Sequence, residues 1–116
     1  MHVKLHKSAV DQAKKLIQAG EVESFSSDWY EQKPTPTEVD HYINAHFLKE
    51  YGLWFLGRNL DVEDTNKEHY VYPYGDLKEV QRCALVDSMA QAEKRGCKDV
   101  VKAAQELLDL IDKKAK

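Results

Sequence analysis

The sequence predicts a mostly helical α+β fold around one core, and three observations lead to it. Apolar residues recur at helical spacing over 8–19, 36–49, 76–95 and 98–113, which indicates four helices. Between the second and third helix, two short runs rich in aromatic residues predict a hairpin that joins 53–56 to 69–72. The length of 116 residues fits a single compact domain over 1–116.

The first predicted helix starts at Ser8, whose hydroxyl suits an N-cap. Gly20 is expected to end it, because glycine adopts the left-handed conformation without a steric penalty. The apolar residues of this helix are Val10, Ala13, Leu16 and Ile17.

Residues 21–36 read as a loop, because serine, aspartate and proline favour turns over regular structure. Three aromatic residues are expected to pin this loop to the body of the protein, namely Phe25, Trp29 and Tyr30.

The second helix has the strongest local start signal. Thr35, Pro36 and Glu38 form a capping-box pattern with proline at the first helical position. The face that follows contains Val39, Tyr42, Ile43, His46 and Phe47, and the helix is expected to run to about Lys49. Residues 51–57 are ambiguous, since they could prolong this helix through Trp54 or form a short buried strand. The strand is the preferred interpretation.

The last two helices are expected to form an antiparallel hairpin around Gly96 and Cys97. Asp76 lies three residues before Glu79 and resembles the start of the third helix, whose apolar residues are Leu77, Ala84, Leu85, Ser88, Met89 and Ala92. The fourth helix carries Val100, Val101, Ala104, Leu107, Leu108 and Ile111. The predicted core includes Tyr42, Phe47, Trp54, Leu85, Leu108 and Ile111.

Composition narrows the class of protein. The net charge of −3 gives no overall attraction to nucleic acid. No run of apolar residues is long enough to span a membrane, and the start of the chain lacks the apolar region of a secretory signal. With only Cys83 and Cys97, the sequence predicts a cytoplasmic protein with reduced thiols.

Catalytic and metal-binding motifs are scarce. The histidines and acids show no spacing that brings three or four ligands together, so we expect no metal and no cofactor. The sequence has no nucleophile elbow and no phosphate-binding glycine loop. Cys83 with His69 as its base is the one candidate for nucleophilic catalysis, and an enzyme based on either residue stays open as an alternative.

The segment HYVYPYGD, residues 69–76, is the predicted contact surface. We expect it to form a strand-to-helix elbow in which Gly75 relaxes the backbone and Asp76 caps the next helix. An open face near His69 and Tyr74 would then bind a partner. The candidate binding residues are Trp29, His69, Tyr70, Tyr72 and Tyr74.

Residues 64–85, DTNKEHYVYPYGDLKEVQRCAL, resemble a small bacterial domain of unknown function with some phage- and prophage-associated relatives. The matching residues are Lys67, Tyr70, Pro73, Tyr74, Gly75 and Arg82. With YGLWFLG at 51–57 and the last helix, the resemblance covers about half of the chain. It implies a stand-alone domain and brings no known activity with it.

These observations together predict a non-enzymatic interaction module that is a monomer or weak dimer and binds an unknown protein partner. The alternatives are the small enzyme described above and a weak binder of single-stranded nucleic acid. The aromatic residues would suit base stacking, but their sequence neighbours are mostly acidic or neutral, so we do not expect nucleic acid as the partner.

Overall fold

The computed structural model describes residues 1–115 and has the predicted α+β fold. Its helices are α1 (Lys7–Gln18), α2 (Trp29–Gln32), α3 (Pro36–Gly52), α4 (Arg82–Lys94) and α5 (Lys98–Lys114). Its strands are β1 (Val3–Leu5), β2 (Val22–Glu23), β3 (Phe55–Asn59), β4 (Tyr70–Pro73) and β5 (Val80–Gln81). A 3₁₀ turn, Lys67–His69, leads into β4. None of the helices in residues 1–115 is both long and apolar enough to cross a membrane.

The predicted hairpin is present as the antiparallel pair β3 and β4, with Gly57 opposite Val71. Its first strand starts two residues later than predicted, because α3 continues through residues 51 and 52 of the ambiguous run and only 55–57 of that run are strand. The sequence interpretation missed β1, which pairs with the other edge of β3 and places Leu5 opposite Gly57. It also missed the short parallel pair of β2 and β5. These strands are two or three residues long, so they carry too few side chains to show a period.

The core lies where α1, α4 and α5 pack against the sheet. Four of the predicted core residues, Trp54, Leu85, Leu108 and Ile111, are buried. Tyr42 is only half-buried and packs at the edge. The prediction for Phe47 is wrong, because 74% of this residue is exposed.

Helix ends follow glycine as expected, but two predicted helix starts are wrong. Gly20 and Gly96 adopt φ angles of +80° and +71° at the ends of α1 and α4. Helix α1 begins at Lys7 after His6, with no side-chain cap, so Ser8 lies inside the helix. Helix α4 begins at Arg82, six residues after the predicted position.

Asp76 caps a turn and not a helix. Its Oδ1 atom accepts hydrogen bonds from the backbone N–H groups of Lys78 at 3.1 Å and Glu79 at 2.9 Å. The chain then joins β2 in parallel, which postpones the helix. Gly75 is required for close packing, since an added Cβ would lie 2.6 Å from the Trp54 ring, and its φ angle is not positive.

The segment predicted as a loop, residues 21–36, contains β2 and the single-turn helix α2. Trp29 anchors it as expected, being buried against Cys83 and Ala84. Phe25 and Tyr30 do not, because they are 98% and 63% exposed.

Candidate functional site

An aromatic groove of about 400 Å³ lies between the segment that joins α2 to α3 and the β3–β4 hairpin. Four aromatic side chains line it, namely Trp29, Tyr51, Phe55 and Tyr70. All three prolines of the chain, Pro34, Pro36 and Pro73, line it too. A mostly apolar hollow of this volume has the size and character of a small-molecule site.

The start of α2 and the segment that leads into α3 position one wall of the groove. Asp28 caps α2 by accepting a hydrogen bond from the N–H of Tyr30 at 2.9 Å, which fixes the turn that carries Trp29. Lys33 is extended before Pro34, with φ −63° and ψ 147°, as proline favours in the preceding residue. The chain therefore presents two prolines to the groove before α3 begins.

The predicted capping box is confirmed and sets the first turn of α3 beside the groove. The Thr35 hydroxyl accepts from the N–H of Glu38 at 3.2 Å, and the N–H of Thr35 donates to the Glu38 carboxylate at 3.1 Å. These hydrogen bonds lower the pKa of Glu38. The turn they stabilise places Pro36 and Val39 on the groove wall.

The other wall is a cluster of three aromatic rings. Tyr51 and Phe55 have ring centroids 4.8 Å apart, and the Tyr70 ring lies 6.4 Å from each. Gly52 makes this packing possible, because a Cβ at this position would overlap the Tyr70 ring. Burial, followed by the charge of Glu68, raises the pKa of Tyr51 to about 12. Like any tyrosine at neutral pH, it is protonated and can donate a hydrogen bond.

The tryptophan and tyrosine side chains that line the groove differ in their hydrogen bonding from those elsewhere in the molecule. The chain has two tryptophans and six tyrosines. Away from the groove, their polar atoms are paired: Trp54 donates to Tyr42 at 3.1 Å, and Tyr74 donates to the Leu53 carbonyl at 2.6 Å. Tyr30 lies 3.4 Å from the Asp87 carboxylate, and Tyr72 lies 3.5 Å from the Cys97 sulfur.

The three such side chains that line the groove have no hydrogen-bond partner anywhere in residues 1–115: Trp29 Nε1, Tyr51 Oη and Tyr70 Oη. We call these atoms the free donors. None of these three atoms is fully buried, since the buried polar side-chain atoms without a partner in residues 1–115 are His6 Nδ1 and Arg58 Nε. The free donors are therefore open to solvent in the unbound protein and are available to a molecule that binds in the groove.

Charged side chains lie only at the rim of the groove. They are Lys33, Lys67 and Glu68, and all three are exposed. Lys67 is 3.7 Å from the Asp40 carboxylate, while Lys33 lies over the Tyr30 ring at 5.6 Å. The interior thus offers rings and donors, and the rim offers charge.

The structure brings two of the five predicted binding residues, Trp29 and Tyr70, to the groove and places the others in the core. Tyr74 is fully buried and stacks on Trp54 with centroids 5.4 Å apart. Tyr72 is 5% exposed, and His69 is 4% exposed with Nδ1 2.7 Å from the Val62 carbonyl oxygen. The predicted open face near His69 and Tyr74 is therefore wrong.

Sequence reasoning missed several groove residues, among them Pro34, Pro36, Tyr51 and Phe55. Tyr51 and Phe55 were recognised only as part of an ambiguous apolar run. A clue was present in the prolines, which stand close to aromatic residues at both 29–36 and 70–74. Nothing in the sequence shows that these two segments meet.

The predicted alternative of thiol catalysis finds little support in the geometry. Cys83 is buried beside Trp29 and Ala84, and burial raises the pKa of its thiol. A raised pKa keeps the sulfur protonated and less nucleophilic at neutral pH. His69 contacts Tyr70 and Val62 instead.

Comparison with protein-family models, curated proteins and solved structures gives no match for this chain. The resemblance to a bacterial domain with phage-associated relatives therefore stays a prediction. Within residues 1–115, no group of three or more histidine, cysteine, aspartate or glutamate side chains is placed to hold a metal ion.

Proposed function

We propose that this protein is a non-enzymatic binding module and that the aromatic groove holds its ligand. The observation that carries the proposal is the contrast in hydrogen bonding between the free donors and the paired rings elsewhere. A ligand with an apolar ring and hydrogen-bond acceptors would satisfy both features of the groove. Its volume of about 400 Å³ suits a small molecule or the side chains of a docked segment.

Binding of single-stranded nucleic acid is the weaker candidate. Stacking on aromatic rings usually works together with a basic groove that follows the phosphate backbone. Here Glu68 stands on the rim and Asp40 offsets Lys67 at 3.7 Å, which leaves little positive charge for an extended polyanion.

A neutral fluorescent ring with a carbonyl acceptor tests the proposal directly. We expect 7-diethylamino-4-methylcoumarin to bind the wild-type protein, with a change in its fluorescence on titration. Tyr51→Phe removes one free donor and should weaken binding by about two- to tenfold, the value of one hydrogen bond. Val39→Trp should weaken binding further by filling the groove.

Tyr30→Phe is the matched control, because Tyr30 is exposed outside the groove and its hydroxyl lies near Asp87. Its affinity for the coumarin should equal that of the wild type. Saturable binding that survives Val39→Trp unchanged would place the probe elsewhere and refute the groove as the ligand site. Displacement of the coumarin by a ten-nucleotide oligo(dT) at low salt would favour the nucleic-acid alternative.

A further inference from the structure

Arg58 is a half-buried cation that has no salt-bridge partner in residues 1–115. It lies on β3, the central strand, directly opposite Lys4 on one side and Tyr70 on the other. It forms no salt bridge with a carboxylate in the described residues, and its Nε atom is buried without a hydrogen-bond partner. By contrast, Arg82 holds Asp112 with two hydrogen bonds of 3.0 Å.

An arginine side chain stays protonated and presents five N–H donors. A half-buried arginine without a partner is therefore unusual. A buried donor with no partner lowers stability unless something satisfies it. Stacking on a ring is no substitute here, since the cation–π contact in the part of the chain that the structure describes is that of Lys33 with Tyr30.

Two histidines flank the same tyrosine. His6 stacks on the Tyr70 ring with centroids 5.9 Å apart, and its Nδ1 atom is also buried without a partner. His69 meets the Tyr70 ring edge-on at 5.0 Å. We call His6, Arg58 and His69 the basic cluster. Burial, followed by the charge of Arg58, lowers the pKa of His6.

We infer that the basic cluster is an oxyanion site and that the ligand of the groove is a small organic acid with an apolar ring. The inference rests on the proposed function. Tyr70 joins the two parts, because it lines the groove, its ring contacts both histidines, and it lies opposite Arg58 in the β3–β4 pair. The three basic residues themselves lie beyond the groove lining. The ring of the ligand would lie among Trp29, Tyr51 and Phe55.

A carboxylate or phosphate oxyanion complements the charges and the donors together. The guanidinium of Arg58 matches the planar, two-oxygen geometry of such groups, and the hydroxyl of Tyr70 adds a free donor. Two acids lie near this region: Asp64 contributes, after burial, to raising the pKa of Tyr70, and Glu68 stands on the rim of the groove. Neither forms an ion pair with Arg58, so the positive charge of the arginine is available to a ligand.

The experiment compares two probes that share one ring and differ mainly in charge. The neutral 7-diethylamino-4-methylcoumarin is titrated beside 7-diethylaminocoumarin-3-carboxylate, with fluorescence as the readout. The wild-type protein should bind the carboxylate about tenfold more tightly or better, the range of a hydrogen bond to a charged group. Arg58→Met should remove this preference and leave the affinity for the neutral probe unchanged.

Arg82→Met is the matched control, because it removes an arginine that is already paired with Asp112, and it should keep the preference. His6→Gln should reduce the preference in part, and it gives a second variant should Arg58→Met fold poorly by near-ultraviolet circular dichroism. Equal affinity of the wild type for both probes would overturn the oxyanion site and leave the groove standing. If neither probe binds, the proposed function itself fails.

Discussion

Helices α3 and α5 each span 17 residues, α3 with a break at Phe47, but they are held in the molecule by different means. Helix α3 starts with a complete capping box and proline in its first turn, yet it buries only Tyr51 and Gly52 at its end. Helix α5 has no side-chain cap, yet it buries Val100, Ala103, Ala104, Leu107, Leu108 and Ile111. Capping therefore fixes where a helix begins, while a continuous apolar face decides whether the core holds it.

The two helices also differ in the role that we assign to them. Helix α5 packs against α4, α1 and the sheet and belongs to the core. Helix α3 contributes its first turn to the groove wall through Pro36 and Val39 and is tied down by the Tyr42–Trp54 hydrogen bond of 3.1 Å. Because the core covers only part of α3, the remaining surface of this helix is available to a ligand.

The largest effect is expected from Leu108→Ala in α5. Leu108 is 4% exposed, and truncation of a buried leucine lowers the free energy of unfolding by about 2–5 kcal/mol. Phe47→Ala removes a larger side chain from α3, but its exposure of 74% predicts a loss below about 0.5 kcal/mol. Urea unfolding of both variants measures the contrast. Equal losses would mean that Phe47 packs on the core in solution.

The regular elements were predictable where the signal is local. The apolar residues of α5 recur at every third or fourth position, and Gly96 ends α4 in the left-handed conformation. The Thr35 capping box forms as the sequence indicates. In each of these cases, residues within one or two helical turns contain all the information.

The remainder depends on contacts between distant parts of the chain. Asp76 makes the predicted hydrogen bonds to the following N–H groups, but the next residues pair with β2, some 58 positions earlier, before α4 begins. Tyr74 looked like a surface ring and is instead enclosed by Trp54 and Leu53. The groove forms only because residues 29–39 lie against residues 67–77 in the fold. No local sequence pattern predicts this long-range contact.

Phe47 also shows why the predicted face of α3 failed. Its φ and ψ angles of 69° and 158° interrupt the helix and turn the side chain away from the face shared by Val39 and Tyr42. Such angles belong to a region that is essentially restricted to glycine, and a non-glycine residue there costs about 1–3 kcal/mol. Sequence periodicity assumes an unbroken helix, so it cannot detect this break.

Phe47→Gly should therefore raise the free energy of unfolding by about 1 kcal/mol. Relief of backbone strain, about 1–3 kcal/mol, is offset in part by about 0.5–1 kcal/mol for the greater entropy of glycine in the unfolded chain. Phe47→Ala serves as the reference, because alanine removes the ring without relieving the strain. A glycine variant less stable than the alanine variant would show that α3 is continuous through residue 47.

The most local effect is expected from Thr35→Ala, and it should be confined to α3. Loss of the side-chain acceptor removes the hydrogen bond from the Glu38 N–H and weakens a helix start by about 1 kcal/mol. Because little of the first ten residues of α3 is buried, this segment can open without unfolding the core. Amide hydrogen exchange in the first half of α3 should accelerate by about fivefold, while the slow amides of α5 keep their rates.

Thr37→Ala provides the control for this prediction, because Thr37 lies in the same first turn, is exposed and makes no cap. Its exchange rates should stay close to those of the wild type. Acceleration of the α5 amides by the same factor in Thr35→Ala would mean that both helices open together. The distinction between a capped helix on the groove and an uncapped helix in the core would then be lost, because α3 would share the cooperative unfolding of the core.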